Sequence, residues 1–566
     1  MIPGLTVLRR YQRAWLRGDL IAGVTVAAYL VPQVMAYATV AGLDPVAGLW
    51  AALPALVVYA VLGSSQSLSM GPEATTALMT ATAIGPLAAG DPARYAVLTA
   101  TLALLVGAMS LVAWLLRLGF VADLLSRPVL VGYMAGVALI MIAGQLARVT
   151  GVPVTGKSFL TQVISFARGI DGIQLATIMV SASVLAFLFL VRARWPHAPS
   201  PLLATLLATA AVVVFGLRHR GVSVVGPIPA GLPVPRLPDL HLHDLRELLL
   251  PAFSVLVVAF SDDVLTARSF ARRDEEIRPN QELLALCAAN AGSSLLHGFP
   301  VSSSATRTAI GVATGSRTQL YSLAAAAAAL AVLLFARPVL SHFPSAALGA
   351  IVIYAAIRLI DVQAFRRLLA FRRSEIVLAL SACAGVLALD ILYGVLLAIG
   401  LSVAELLLRV ARPHDAVLGR VPGLAGMHDV DDYPAAQTIP GLVVYRYDAP
   451  LFFANAADFR RRALAAADQQ PGPVRWFVLN VEANVEVDFT ALEAVDALRE
   501  QLTSAGTVFA LARVKQDLLA RLQSFGLAGK IGTERLFPTL PTAVQAYETW
   551  VREHGPHPGR EDAADG

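Results

Sequence analysis

The sequence predicts an α-helical polytopic membrane protein with fourteen membrane segments in two inverted sets of seven, followed by a small α/β domain. Three observations carry that prediction. The 566 residues are 57% hydrophobic and only 15% charged, with a mean hydropathy of +0.66, and the apolar residues fall into runs suited to a hydrocarbon core about 30 Å thick. Two stretches, Ser67 to Thr76 and Phe299 to Thr308, break apolar regions with small polar residues and a Gly or Pro. Each then restarts an Ala-rich helical pattern of about three turns, too short to cross the core. Beyond Arg412 the composition turns soluble.

Taken in order, apolar runs place spans at roughly Leu20–Tyr37, Val46–Leu62, a half-helix after Glu73, Tyr95–Leu116, Val129–Ala147, Ile173–Val191 and Leu202–Phe215. A Pro- and Gly-rich connector covers 217–246. Spans recur at Leu248–Leu265, Leu283–Leu296, a half-helix after Ser304, Leu320–Leu340, Ala346–Arg358, Ile376–Leu389 and Leu392–Leu408. The repeats are therefore 20–216 and 247–409. An odd number of spans per repeat turns the second upside down, and the broken segment is third in both.

The net charge of +5 and pI near 9.3 could suggest nucleic acid, but the Arg residues gather at the ends of apolar runs. With residues 1–19 cytoplasmic, Arg117, Arg127, Arg192, Arg194, Arg268, Arg272, Arg273 and the cluster from Arg366 to Arg373 all fall inside. Arg218 and Arg220 dissent. The basic excess reports topology in an inner (plasma) membrane, with the lipid bilayer and no nucleic acid as partner. Val362 to Arg373 is too charged to span and reads as an amphipathic surface helix. After a linker at 410–440, residues 441–551 alternate strands (Leu442–Tyr447, Trp476–Val481, Thr507–Ala512) with amphipathic helical patterns, which makes one cytoplasmic α/β domain. The tail at 552–566 is polar and expected to be disordered.

Non-helical backbone at membrane depth is tolerated where protein buries it or water meets it, so the paired breaks point to a midplane site. Two half-helix N-termini there favour an anion. Glu73, at the first break, is either a protonatable coupling group or an N-terminal carboxylate paired with an Arg. Asp262 and Asp263 lie about 100° apart on one helix, so at most one faces a cavity squarely. Asp262 shares its face with Thr266 and is the favoured cavity residue. Arg307 either binds substrate or neutralises Asp262 or Glu73, with snorkelling as the alternative. Gln33 follows the kinking Pro32, and Tyr37 lies one turn on; a membrane Gln is as often inter-helix glue. The two cysteines, Cys287 and Cys383, sit in apolar segments, and no Walker loop, triad, CxxC or metal-ligand spacing occurs. Neither an enzyme, a cofactor nor a metal site is expected.

The stretches Gly18 to Ala27, Pro32 to Ala38 and Ala41 to Trp50 closely resemble the signature of the SulP family of sulfate permeases and related anion exchangers. Ser304 to Thr308 with Gly315 to Gln319 resembles its second signature, and the C-terminal domain resembles a STAS domain. The resemblance covers nearly the whole chain. It implies a core domain moving against a gate domain, usually in a homodimer. It places the anion site on Gln33, Tyr37, Glu73, Ala74, Thr75, Ser304, Thr306 and Arg307, and a cation-coupling site on Asp262, with Thr266 beside it. In the STAS domain, Asp488-Phe489-Thr490 matches a loop that carries a phosphorylatable residue in related regulatory domains; Thr490 is a regulatory phosphosite, with a regulatory protein as partner, or merely caps a helix starting at Ala491.

Proton-coupled sulfate uptake by alternating access is the expectation that follows, with H⁺ favoured over Na⁺ as coupling ion and an inorganic anion, sulfate by preference, as substrate. A Na⁺- or H⁺-coupled bicarbonate or dicarboxylate carrier uses the same scaffold. A passive anion channel and a STAS-linked membrane sensor are rivals of another class. Short polar helix ends and one Arg accept sulfate, bicarbonate and carboxylates alike.

Overall fold

The computed structural model describes residues 11–555, apart from 124–125, 157, 196–197, 230, 240 and 273–274. Arg273 and most of the tail expected at 552–566 lie outside the described residues. Contacts divide the chain into two units, 1–403 and 404–566.

In the first unit, seven membrane segments precede the connector: α1 (Leu16–Val40), α2 (Pro45–Leu62), the short α3 (Ala74–Leu87), α4 (Pro92–Leu115), α5 (Arg127–Thr150), α7 (Leu175–Arg194) and α8 (Ser200–Val214). Pro at the start of α2, α4 and α5 costs nothing there, because the first N–H groups of a helix have no intrahelical partner. Between α5 and α7 the chain forms α6 (Phe159–Arg168), closed by a reciprocal Ser158–Thr161 capping box. The expectations did not include this helix.

The second set is α9 (Leu242–Phe270), α10 (Pro279–Leu295), the short α11 (Ala305–Ala313), α12 (Leu320–Phe335), α13 (Ser345–Leu359) and α15 (Arg373–Ala411). Helix α9 starts inside the stretch expected as connector. The surface helix α14 (Val362–Phe371) is capped by Asp361 and buries none of its residues. Helical backbone runs without interruption through the 39 residues of α15, a length of about 58 Å if straight. It is not straight. A side chain on Gly394 would meet the Val386 backbone, and Gly385 lies against Leu397, contacts open only to a chain that doubles back between them. The two arms are the thirteenth and fourteenth segments, and each half again contains seven.

Helices α1–α4 pack with α9–α12, while α5, α7, α8, α13 and α15 pack with one another. Within the first group the two signature stretches touch. Asp19, fully buried, accepts from the backbone N–H groups of Arg317 (2.6 Å) and Thr318 (3.1 Å) and from the Thr318 hydroxyl (2.7 Å). Gly18 must be small because a Cβ there would stand 2.6 Å from the Gly315 carbonyl.

In the second unit, six strands in the order β4-β3-β5-β6-β7-β8, the last being Leu536–Phe537, form one sheet, parallel from β5 to β8 and antiparallel at β3 and β4. Helices cover both faces. Strands β5 (Leu442–Tyr447), β6 (Trp476–Asn480) and β7 (Val508–Ala512) agree with the expectation. The linker expected at 410–440 is corrected: it supplies β3 (Asp415–Gly419) and β4 (His428–Asp429). These are short and polar-flanked, so they lack the apolar run that marked the others. The cap at Thr490 is also corrected. Helix α17 (Phe489–Ser504; α16 being Ala456–Asp468) is capped by Asp488, which accepts from Ala491 N–H at 2.8 Å, and Thr490 stands exposed in its first turn.

Candidate functional site

Both breaks are real, and backbone bonding explains how they survive. Strands β1 (Met70–Gly71) and β2 (Ser302–Ser303) run antiparallel, Met70 opposite Ser303 and Gly71 opposite Ser302. Ser304 N–H extends the pairing to the Ser69 carbonyl at 2.9 Å. Side chains satisfy the remaining groups, as buried backbone requires. Gln319 donates to the Ser65 and Leu68 carbonyls, the Tyr321 hydroxyl to the Ser67 carbonyl, and Asn290 both accepts from Val301 N–H (3.0 Å) and donates to its carbonyl (3.2 Å). Thr308 Oγ1 accepts from Ser69 N–H at 3.0 Å. Helices α3 and α11 start immediately after this crossing, with Glu73 and Ser304 at their N-cap positions.

A cavity of about 310 Å³ lies against the two helix starts. Gln33, Tyr37, Glu73, Ala74, Thr75, Asp262 and Thr306 all line it, so the structure brings most of the expected site together. Gln33 donates to the Tyr37 hydroxyl at 2.8 Å, leaving its own Oε1 buried and unpartnered. Glu73 Oε2 likewise has no hydrogen-bond partner. Asp262 accepts from the Ser303 hydroxyl at 3.4 Å, a weak bond. Its neighbour Asp263 turns away, fully buried, and accepts from Ser303 N–H at 2.6 Å. The helical geometry thus separates the pair as anticipated, one towards the cavity and one into the crossing.

Three expected residues stand elsewhere. Thr266 is buried one turn beyond Asp262 and Ser304 is buried at the α11 cap; neither lines the cavity. Arg307 is fully buried behind the crossing. Its Nη1 donates to the Pro72 carbonyl at 3.0 Å and lies 3.8 Å from Glu73 Oε2, and its Nε is 3.4 Å from Ser69 Oγ. The pairing with Glu73 belongs to the readings left open; direct exposure to the cavity does not occur here.

The cation that does line the cavity is Arg358, at the end of α13, with its guanidinium 5.8 Å from the Tyr354 ring centroid. Its position at the end of an apolar run read only as a span boundary. Tyr29, Met134, Phe270, Ile351 and Tyr354 complete much of the wall, and being apolar or aromatic residues of ordinary spans they carried no signal. A larger groove of about 900 Å³ lies between α7 and α8, but its walls are mostly apolar and hold no carboxylate.

A sequence model described as the sulfate permease family matches residues 16–382. This chain belongs to that family. A STAS domain model matches 433–543, and the sheet's first two strands precede that match. A probable sulfate transporter of Mycobacterium tuberculosis is 58% identical to this family member over 547 residues, 96% of this chain and 98% of its own. Sulfate transporter 1.3 of Arabidopsis thaliana is 30% identical over 95% of this chain and 86% of its own. Among solved structures, SLC26A9 superposes with a TM-score of 0.89 at 21% identity, covering 98% of this chain and 93% of that one. The transmembrane domain of a cyanobacterial bicarbonate transporter, BicA, gives 0.60 at 24% identity, over 69% and 98%. These two structural likenesses are of fold: a core domain (α1–α4, α9–α12) beside a gate domain (α5, α7, α8, α13, α15); that the chain is a transporter rather than an enzyme rests on the family match.

Proposed function

We propose that this chain is a secondary active sulfate importer that couples entry of the anion to entry of protons. The observation that carries the reading is the convergence of two half-helix starts and two carboxylates on one cavity. Amide groups at the starts of α3 and α11 favour negative charge, and Arg358 adds a full cation. A dianion entering beside ionised Glu73 and Asp262 would be repelled at close range in a medium of low dielectric. Protonation of either carboxylate relieves that repulsion; Glu73 has the Arg307 guanidinium 3.8 Å away as a counter-charge, whereas Asp262 has only the weak bond from Ser303. Sulfate is favoured because the two cited relatives that match nearly the whole chain carry sulfate in their names.

Movement of the core against the gate would expose this cavity to each face in turn, with the N-terminus and STAS domain cytoplasmic in an inner membrane. A homodimer, and Thr490 as a phosphosite read by a regulatory protein, are extensions that the family resemblance suggests. The test is uptake of labelled sulfate into proteoliposomes. An inward proton gradient is expected to drive accumulation above equilibrium. Uptake that follows a Na⁺ gradient instead, or that runs passively to equilibrium, would overturn the proton coupling.

A further inference from the structure

A second cavity, of about 500 Å³, lies at another place on the core–gate boundary. Its walls are the end of α1 (Thr39, Val40), the far half of α3 (Leu78 to Pro86), the end of α5 (Ile140 to Arg148) and two residues of α6. A specific contact joins two of its lining residues across that boundary. Arg148, in the last turn of α5, donates through Nη2 to the Thr39 carbonyl at 2.9 Å, and through Nη1 to Gln145 at 3.0 Å. Thr39 belongs to the last turn of α1, at the negative end of the helix dipole, and its carbonyl also accepts from Gly42 N–H at 3.3 Å. The bond therefore crosses from gate to core.

The inverted repeat relates α5 to α13 and α1 to α9. Arg358 holds the place in α13 that Arg148 holds in α5, near the helix end, and Phe270, the last residue of α9, lines the cavity with it. Arg358 makes no hydrogen bond or ion pair among the described residues; it faces the open cavity. One arginine is latched onto the carbonyl end of a core helix, and its counterpart is released.

We propose that Arg148 and Arg358 are paired gate latches, each closing its own face by bonding the carbonyl end of α1 or α9, and each offering its guanidinium to the incoming anion when released. The proposal rests on the transport reading, since the released state is where substrate would enter. Only one latch closes at a time, which is the requirement of alternating access.

The test uses the full chain with Cys287 and Cys383 replaced by serine and a reporter at Ala309→Cys. Ala309 lines the first cavity, which a reagent from the Arg148 face reaches only when that face opens. A membrane-impermeant thiol reagent is applied from the Arg148 face. Arg148→Gln is expected to raise the labelling rate by about tenfold, the factor that losing a hydrogen bond to a charged group allows. Arg148→Lys is expected to keep most of the closure. Arg358→Gln is expected to lower the rate, because it removes the latch of the opposite state. Opposite signs cannot come from general loosening. Equal rates, or both Gln variants shifting in the same direction, would overturn the latch. The labelling needs no substrate, so opposite shifts in a protein that fails to accumulate sulfate would refute the transport reading and leave the latch standing.

Discussion

Asp262 and Asp263 differ by one position and by everything else. A turn of 100° sends the first to the cavity and the second to the Ser303 amide. That division was legible in the sequence because helical periodicity fixes directions along a straight segment. Asp262→Asn keeps the shape and removes the titratable charge, so sulfate binding should persist while gradient-driven accumulation falls by at least tenfold, measured as labelled sulfate uptake against equilibrium exchange. Equal accumulation by the variant would exclude Asp262 as the coupling group. Arg307 was placed correctly in the first turn after the break, but sequence spacing does not say whether a long side chain turns forward to the cavity or back into the crossing. It turns back, to Pro72 and Ser69. Lysine cannot reproduce the guanidinium fork. Arg307→Lys should cost about 1–3 kcal/mol by leaving buried acceptors unpaired, read as a lower thermal midpoint in detergent, with a smaller effect on the apparent affinity for sulfate.

At the level of elements, the broken helices announced themselves by composition: small polar residues, a Pro or Gly, then a short Ala-rich restart. What the sequence could not announce was how the exposed backbone is satisfied. The groups that do it come from far away in the chain, Asn290 on α10 and Gln319 and Tyr321 at α12. Asn290 bonds both backbone groups of Val301, so Asn290→Ala should destabilise the fold by about 1–3 kcal/mol. The measurement is the thermal midpoint of the purified protein, and an unchanged midpoint would mean that the crossing does not depend on this clamp. Other elements were missed for simpler reasons. Helix α6 is short and lies outside every apolar run, while β3 and the edge strand β4 have five and two residues in a polar stretch. The hairpin in α15 was anticipated from two apolar runs, yet its turn is helical throughout, so backbone conformation alone would not have revealed it.

Over the whole molecule, the pattern is one of two repeats that each carry an interrupted third segment and a basic residue near the end of a gate helix. In the gate, Gly132 of α5 lies directly against the Ala379 backbone of α15, an approach that any side chain would block. In the core, Asp19 and Gly18 fasten the start of α1 to the loop before α12. Each body is held by its own local contacts, and residues of both line the candidate cavity. In the proposed mechanism the starts of α3 and α11 face one water-filled anion site. Cysteines at Ala74 and Ala305, the first residues of the two half-helices, test it most directly in a background free of Cys287 and Cys383. Both should react with a small charged thiol reagent, and sulfate should slow both reactions together. Reaction at neither position, or rates that sulfate leaves unchanged, would contradict it.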